Sequence, residues 1–277
     1  MTTTSIAAPV ARVSPRATPT LTRRPAWALP LAGIALAVAL WWGLTDVLFA
    51  TRPLVSQFSP ARAFVGLAEL AASGTLLDSA SISVFRLLCG LALAAALGIG
   101  GGLLLGSVAW LDGATRPVQL FLRMVSPLSW APVAIIAFGI GNPPVVALVT
   151  AAAVWPVLTA TSEGVRRVDP GHRRVAHGLG ATRWEVLRHV VLPSVQPSML
   201  SGLRSAIGLG WVVLVPAEML GVTSGLGYQI MNAKDQLAFH QITALILVIG
   251  SIGFVLDALA RWALSTRRDR RRPQAPA

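Results

Sequence analysis

Few residues in this chain could carry out bond-making chemistry, and their spacing does not bring suitable types together. The single lysine, Lys234, is followed by Asp235, so the sequence contains no G-x-x-x-x-G-K-[ST] loop to cradle ATP phosphates. Neither H-E-x-x-H nor G-x-S-x-G occurs. Three of the four histidines, His172, His177 and His189, lie among arginines that would repel a metal cation. We therefore expect a chain that is not an enzyme, with no cofactor and no metal site.

The same three histidines lie in a strongly polar stretch between apolar segments, residues 164–197, which we call the basic island. Asp169-Pro170 predicts a helix that starts with a side-chain N-cap and has proline at its first position. We expect this helix to run to about Leu179. Gly180 should then adopt the left-handed conformation that ends many helices.

A second short helix is predicted directly after the first. Thr182 and Glu185 form a T-x-x-E capping box, and Pro193 is expected to end the helix. Two capped helices would form a rigid knob, which could dock on a soluble partner or lie on lipid headgroups. The residues alone favour neither interpretation.

The segments on either side of the basic island are strongly apolar. Hydrophobic residues make up 54% of the chain and charged residues only 12%, about half of what soluble domains carry. A membrane crossing needs roughly 20 apolar residues, and Gly141-Asn142-Pro143-Pro144 supplies a turn within the uncharged run 124–162. We therefore predict an all-α integral membrane protein. Its six spans are expected at about 26–49, 84–109, 118–140, 145–163, 198–221 and 241–262.

The distribution of arginine predicts the orientation of these spans. Placing both termini in the cytoplasm puts most of the 23 Lys and Arg residues, including those of the basic island, on the inner side. Topology and anionic lipid then explain the formal net charge of +12, and we expect no nucleic-acid partner. Residues 1–25 are predicted to form a disordered cytoplasmic tail, and residues 265–277 a basic cytoplasmic tail.

Small residues recur at every fourth position of the second predicted span. Such a stripe lets another helix approach closely, either within the chain or across a dimer, and we favour packing within the chain. Its members are Gly90, Ala94, Gly98, Gly102 and Gly106.

Charged residues within the predicted spans are few. Glu218 would lie about 30 Å along the fifth span, at the outer interface, where solvation of a helix end is the favoured explanation. No carboxylate, lysine or histidine lies near the midpoint of a span. This pattern argues against a proton-coupled secondary carrier.

The second half of the basic island resembles the E-A-A loop signature found in permease subunits of bacterial ABC importers. That signature reads E-A-A, three residues, Gly, nine residues, I-x-L-P. Gly180 is followed by nine residues and then Val190-Val191-Leu192-Pro193, and Ala176 matches the last alanine. Arg174 stands where the family has glutamate, so any contact made by that carboxylate is not carried over.

The resemblance extends over about residues 76–264, and it is closest to the branch that imports nitrate, alkanesulfonates, taurine and related compounds. It implies a type I ABC importer permease fold with the basic island as the ATPase-coupling loop. The segments that carry it, besides the loop signature, are residues 83–86, 126–132, 138–142, 164–170, 217–220 and 224–228.

The resemblance also implies partners. A second permease chain, expected to be identical, an ABC ATPase subunit and an extracytoplasmic solute-binding protein would assemble with this chain in the bacterial inner membrane. The alternative is a secondary transporter or channel that works without an ATPase. The expected coupling residues are Leu179, Gly180, Ala181, Thr182, Trp184 and Pro193. The expected contacts with the binding protein at the outer face are Glu218, Gly225 and Gly227.

Overall fold

The structure, a computed structural model, describes residues 28–264 of the 277-residue chain. The predicted tails 1–25 and 265–277, and the start of the predicted first span, lie outside the described residues. Every regular element in the described part is helical. The α-helices are α1 Ala28–Trp42, α2 Pro53–Ser56, α3 Pro60–Ala72, α4 Thr75–Ser107, α5 Ala109–Met124, α6 Ala131–Phe138, α7 Asn142–Arg166, α8 Pro170–Gly178, α9 Arg183–Val186, α10 Leu192–Gly221, α11 Leu226–Asp235 and α12 Phe239–Ala263.

The membrane-spanning pattern agrees with the prediction in number but not in every detail. Within residues 28–264, five helical stretches are long and apolar enough to cross a bilayer, and the number rises to six if one bent pair of helices counts as a single span. The five stretches are Leu29–Leu48, Thr75–Ser107, Asn142–Arg166, Arg183–Gly221 and Phe239–Ala263.

The predicted third span, 118–140, is wrong as a continuous helix. Helix α5 and the segment Pro127–Phe138 meet at 88°. Val125 and Ser126 have extended backbone conformations, with ψ of 126° and 128°. Pro127 explains the break, because proline pushes the residue before it out of the helical region.

Helices α4 and α7 pack along the predicted stripe of small residues. A Cβ atom added to Gly98 would lie 2.7 Å from Val157 Cβ, and one added to Gly106 would lie 2.6 Å from Val165 Cβ. Helix α10 covers the other side of α7, where a Cβ atom added to Gly202 would lie 2.8 Å from the carbonyl oxygen of Pro156. The stripe therefore serves packing within the chain, as expected, and these three helices form the core.

The second helix of the basic island continues into the bundle. Helix α9 passes through the π-helical turn Leu187–Val191 directly into α10, so the prediction that Pro193 ends the helix is wrong. Pro193 lies in the first turn of α10, where its missing N–H is tolerated. The wider π turn before it accommodates the change of hydrogen-bond register.

The remaining helices surround this core less tightly. Most of α1 is exposed within the chain, and Trp41 Nε1 ties it to the rest by donating to the carbonyl of Phe58 at 2.9 Å. Helix α3 packs on the start of α12, where Glu69 lies 2.9 Å from His240 Nε2 and accepts from Gln241 Nε2 at 3.0 Å. These hydrogen bonds, chiefly that from Gln241, lower the pKa of Glu69.

Candidate functional site

The first helix of the basic island, α8, has both of its predicted caps. Asp169 accepts a hydrogen bond from the backbone N–H of Gly171 at 2.7 Å, which satisfies a free donor of the first turn. At the other end Gly180 has φ of +85°, and its N–H donates to the carbonyl of His177 at 3.0 Å. The next residue, Ala181, donates to the carbonyl of Ala176 at 3.0 Å. This pair of bonds is a Schellman motif, which glycine at the left-handed position permits.

The second helix, α9, begins with the predicted capping box. Thr182 Oγ1 accepts from the N–H of Glu185 at 3.3 Å, and the Thr182 N–H donates to Glu185 Oε2 at 2.8 Å. Two backbone donors are thus satisfied reciprocally at the helix start. The predicted caps of both helices are therefore confirmed.

A small apolar cluster fixes the two helices to the end of the bundle. Arg173 reinforces this attachment, because its Nη2 donates to the carbonyl of Val165 at 3.0 Å. The knob is therefore a firm extension of α7 and α10, and we call this end of the bundle the island end. The buried members of the cluster are Val165, Val168, Val186, Val191 and Val195.

Above this cluster the basic island presents apolar side chains outward. Leu179 is 83% exposed and Trp184 is 65% exposed. Leu179 and Pro193 both line a shallow groove of about 500 Å³ between α8 and the turn that leads into α10. Gly180 and Thr182 are exposed beside it and Ala181 is half-buried. The six predicted coupling residues thus lie on one knob, although Trp184 does not line the groove.

At the opposite end of the bundle, which we call the far end, the structure contradicts an expectation about Glu218. Its side chain is fully buried, so solvation of a helix end does not explain it. Arg86, 1% exposed, lies beside it with Nη1 2.8 Å from Glu218 Oε1. The pair joins α4 to α10. Desolvating two charges is costly unless they are paired and hydrogen-bonded, as they are here.

Further hydrogen bonds satisfy both charged groups. Glu218 accepts from the Ser83 hydroxyl at 2.8 Å and from the Gly227 N–H at 3.0 Å. Arg86 donates to the carbonyl of Ser224 at 2.8 Å and to Asn142 Oδ1 at 2.7 Å. We call this arrangement the far-end network. It holds the loop before α11 against α4, α7 and α10.

Glycines at the far-end network let the loop approach the carboxylate. Gly225 has φ of +100°, and a Cβ atom at Gly225 or Gly227 would collide with Glu218. All three residues are buried in the chain, and their visible role is packing and hydrogen bonding. Their contact with a binding protein stays a prediction.

Sequence reasoning missed the pairing of Arg86 with Glu218, although it had singled out the segments that supply the network. The structure brings together four of the segments that carry the family resemblance: residues 83–86, 138–142, 217–220 and 224–228. Nothing in their spacing shows this, since the two charged residues are 132 positions apart. Among the described residues, no three His, Cys, Asp or Glu side chains form a group that could hold a metal ion.

The all-helical bundle with its candidate membrane spans has the fold of the type I ABC permeases. The chain belongs to the family described as binding-protein-dependent transport system inner membrane component, whose profile matches residues 94–268. This family consists of membrane-spanning transport permeases, and the resemblance seen in the loop signature is thereby confirmed.

Several relatives carry names from one branch of importers. The chain is 37% identical over 182 residues, 65% of each chain, to the bicarbonate transport system permease protein CmpB of Synechococcus elongatus. It is 32% identical over 237 residues to the taurine transport system permease protein TauC of Escherichia coli, covering 83% of this chain and 84% of TauC. It is 34% identical over 184 residues to the nitrate import permease protein NrtB of Synechococcus elongatus, covering 65% of this chain and 66% of NrtB.

Proposed function

We propose that this chain is the membrane permease subunit of an ATP-driven importer, and that the basic island couples it to a separate ATPase subunit. The observation that carries the proposal is the exposure of Leu179 and Trp184 on a knob held rigid by caps at both helices. Large apolar side chains exposed among arginines are typical of a surface that another protein covers. The family membership supports an ATPase as that protein.

The path of the chain supports a direct mechanical role for the knob. Helix α9 is continuous with α10, so a displacement of the basic island moves α10 as well. Near its other end α10 carries Glu218, which belongs to the far-end network. ATP-driven movement of the ATPase would thus reach both ends of the bundle through one helix. The chain itself performs no bond chemistry in this scheme.

The proposed assembly includes a second, identical permease chain and an extracytoplasmic solute-binding protein. Helix α5 has no buried residue, and it exposes Trp110, Phe121 and Met124 by 67% to 81%. We propose that the second chain covers this face. Native mass spectrometry of the purified assembly should show two copies of the chain, and a single copy would refute this part of the proposal.

The proposed location is the bacterial inner membrane with both termini in the cytoplasm, which places the basic island beside the ATPase. The names of the relatives support a small anionic or zwitterionic solute as cargo. The alternative, a secondary transporter or channel, would need no ATPase. Uptake into proteoliposomes that persists after ATP depletion would favour that alternative.

The coupling role can be tested at Gly180. A valine there would be strained, because φ of +85° places its Cβ against the backbone, so we expect Gly180→Val to abolish uptake. Gly178→Val is the matched control, since Gly178 has ordinary helical geometry and open space around its Cβ position. Both variants should reach the membrane at the level of the unaltered chain. Normal uptake by Gly180→Val would overturn the coupling role.

A second experiment examines the docking surface itself. Leu179→Asn removes an apolar contact without altering the backbone, so we expect the purified chain to lose most of the ATPase that accompanies it. Leu237→Asn is the control: Leu237 is 67% exposed at the far end, and its φ of 59° suits asparagine. Equal retention of ATPase by both variants would count against docking at Leu179.

A further inference from the structure

Helices α4, α10 and α12 enclose an apolar groove of about 410 Å³, which we call the α12 groove. Its walls consist of leucine, isoleucine and alanine side chains only. The groove is open on one side, because Leu88 and Leu259 in its walls are 56% and 55% exposed. It runs from Leu87, next to the far-end network, to Leu264, which follows the last residue of α12. A groove of this composition suits a hydrocarbon ligand.

A guanidinium group lies at one end of the α12 groove. Arg204 Nη2 donates to the carbonyl of Leu264 at 3.3 Å, and Leu203, its neighbour in the chain, lines the groove. The Arg204 Nε atom is buried and has no hydrogen-bond partner in the part of the chain that the structure describes. One long hydrogen bond within residues 28–264 thus serves a group that has five N–H donors. This end of the groove therefore offers unused donors to a ligand.

The helices that enclose the groove supply no counter-charge for this guanidinium. Their sequences contain three carboxylates, Asp78, Glu218 and Asp257. The first two lie towards the far end of the bundle, and Asp257 already pairs with Arg261. No carboxylate within residues 28–264 forms an ion pair with Arg204. Arg204 therefore carries a positive charge that the described part of the chain does not balance.

The length of α12 places this charge at the level of lipid headgroups. Its 25 residues extend about 37 Å, whereas the hydrocarbon core of a bilayer is about 30 Å thick. Leu264 and the guanidinium beside it should thus reach the boundary of the hydrocarbon. The predicted basic tail, 265–277, adds five arginines directly after this point of the sequence. Such a concentration of arginine at the end of a membrane helix favours anionic headgroups.

We propose that the α12 groove binds an anionic phospholipid, with its phosphate on Arg204 and one acyl chain along the leucine-lined walls. The planar guanidinium group can donate two parallel charge-assisted hydrogen bonds to phosphate oxygens. Burial of the acyl chain in the groove supplies the rest of the affinity. A zwitterionic lipid brings a cationic group towards the same arginines, so it binds more weakly.

The charge at its end distinguishes this occupant from a second copy of the chain. An apolar helix of a second copy could fill the groove, but it would leave the guanidinium without a counter-charge. The face proposed for the second chain lies on α5, and α5 contributes no residue to the α12 groove. A phospholipid satisfies both the apolar walls and the guanidinium.

The experiment is a lipid titration of the delipidated full-length chain in dodecyl maltoside, followed by native mass spectrometry. The probe is dioleoylphosphatidylglycerol. The comparisons are dioleoylphosphatidylcholine, which has the same acyl chains, and glycerol 3-phosphate, which has a phosphate without acyl chains. We expect the first phosphatidylglycerol to bind at least about fivefold more tightly than phosphatidylcholine, a difference of about 1 kcal/mol. Glycerol 3-phosphate should form no adduct at the same concentrations.

Substitutions of charge test the headgroup contact. Arg204→Gln should weaken the first phosphatidylglycerol by about fivefold and leave phosphatidylcholine within about twofold. Arg204→Lys keeps the charge but loses the bidentate geometry, so its affinity should be intermediate. Arg116→Gln is the control, because it makes the same change in net charge at an exposed position outside the groove. It should change either affinity by less than about twofold.

Substitutions of size test the acyl-chain contact with Arg204 left in place. Ala92 lines the groove and is exposed, so Ala92→Phe should fill the groove without straining the bundle and weaken both lipids. Ala96→Phe is the matched control, since Ala96 is also exposed on α4 but lies outside the lining. Both variants should unfold at the same temperature as the unaltered chain in lipid-free detergent, as measured by helical circular dichroism.

Three outcomes would overturn the inference. Unchanged phosphatidylglycerol binding in Arg204→Gln would mean that Arg204 only caps the end of α12. Equal binding of glycerol 3-phosphate and phosphatidylglycerol would make the site one for free phosphate, without a role for the groove. Loss of a two-chain assembly in Ala92→Phe, with lipid binding unchanged, would show that a second copy occupies the groove.

Discussion

Replacing Glu218 with glutamine would leave the Arg86 guanidinium buried without its counter-charge. Arg86 is 1% exposed, so water cannot reach it to compensate. The new amide group would also point donors towards the Ser83 hydroxyl or the Gly227 N–H, which donate to the carboxylate in the unaltered chain. Breaking a buried pair in this way costs about 3–5 kcal/mol of unfolding free energy.

The size of the interaction itself follows from a double-mutant cycle. Arg86→Met should also cost about 3–5 kcal/mol, because it buries an uncompensated carboxylate. The double variant carries neither charge and loses only hydrogen bonds, such as those to Ser224 and Asn142, at about 1–3 kcal/mol each. We therefore expect the double variant to cost no more than the costlier single variant. The coupling energy should be about 3 kcal/mol.

Unfolding by SDS titration in mixed micelles, followed by helical circular dichroism, measures these values. The control cycle uses Glu163 and Arg167, an exposed pair with side chains 60% and 76% accessible. Each control substitution should cost less than about 1 kcal/mol. If the Arg86 and Glu218 effects add to within about 0.5 kcal/mol, the two charges are not coupled and the far-end network has been misread.

Two further predictions concern packing and pH. Gly102→Ala should destabilise the chain by about 1–3 kcal/mol, because its Cβ would lie 2.7 Å from the carbonyl oxygen of Leu158. Gly100→Ala should stabilise the chain by about 0.5–1 kcal/mol, because the space around its Cβ position is open. The hydrogen bond with Gln241 lowers the pKa of Glu69, so the ionised carboxylate stabilises the attachment of α3 to α12 at pH values above the ordinary glutamate pKa. This stability is lost as the pH falls through the lowered pKa. Hydrogen exchange of α3 amides should accelerate over that acidic interval in the unaltered chain and be pH-independent there in Glu69→Gln, once intrinsic exchange rates are subtracted.

The features that the sequence predicted well are those governed by neighbouring residues. The N-cap at Asp169, the left-handed Gly180 and the capping box at Thr182 each depend on contacts within six positions. The glycine stripe was predicted for a similar reason, since a period of four places residues on one helix face regardless of the partner. The identity of that partner, α7, came only from the structure.

The features that were missed depend on residues far apart or on competing local preferences. The pairing of Arg86 with Glu218 requires knowing how α4 and α10 are placed, and spacing along the chain does not contain that information. The sequence predicts a helix end at Pro193 and an unbroken span across Pro127, yet only Pro127 breaks its helix. A π turn before Pro193 absorbs the disruption, and no residue pattern in that stretch signals it.

Helix α1 illustrates how unevenly the bundle is held together. Its side chains find few partners in the chain, so we expect the bilayer to fill most of the space around it. The tilt of α1 should therefore follow the thickness of the surrounding bilayer. Helices α4, α7 and α10 should keep their mutual angles in any lipid or detergent that preserves the close packing between them. A spectroscopic label on α1 would report how the helix tilts to match the bilayer thickness. A label on α7 would report the arrangement of the core helices.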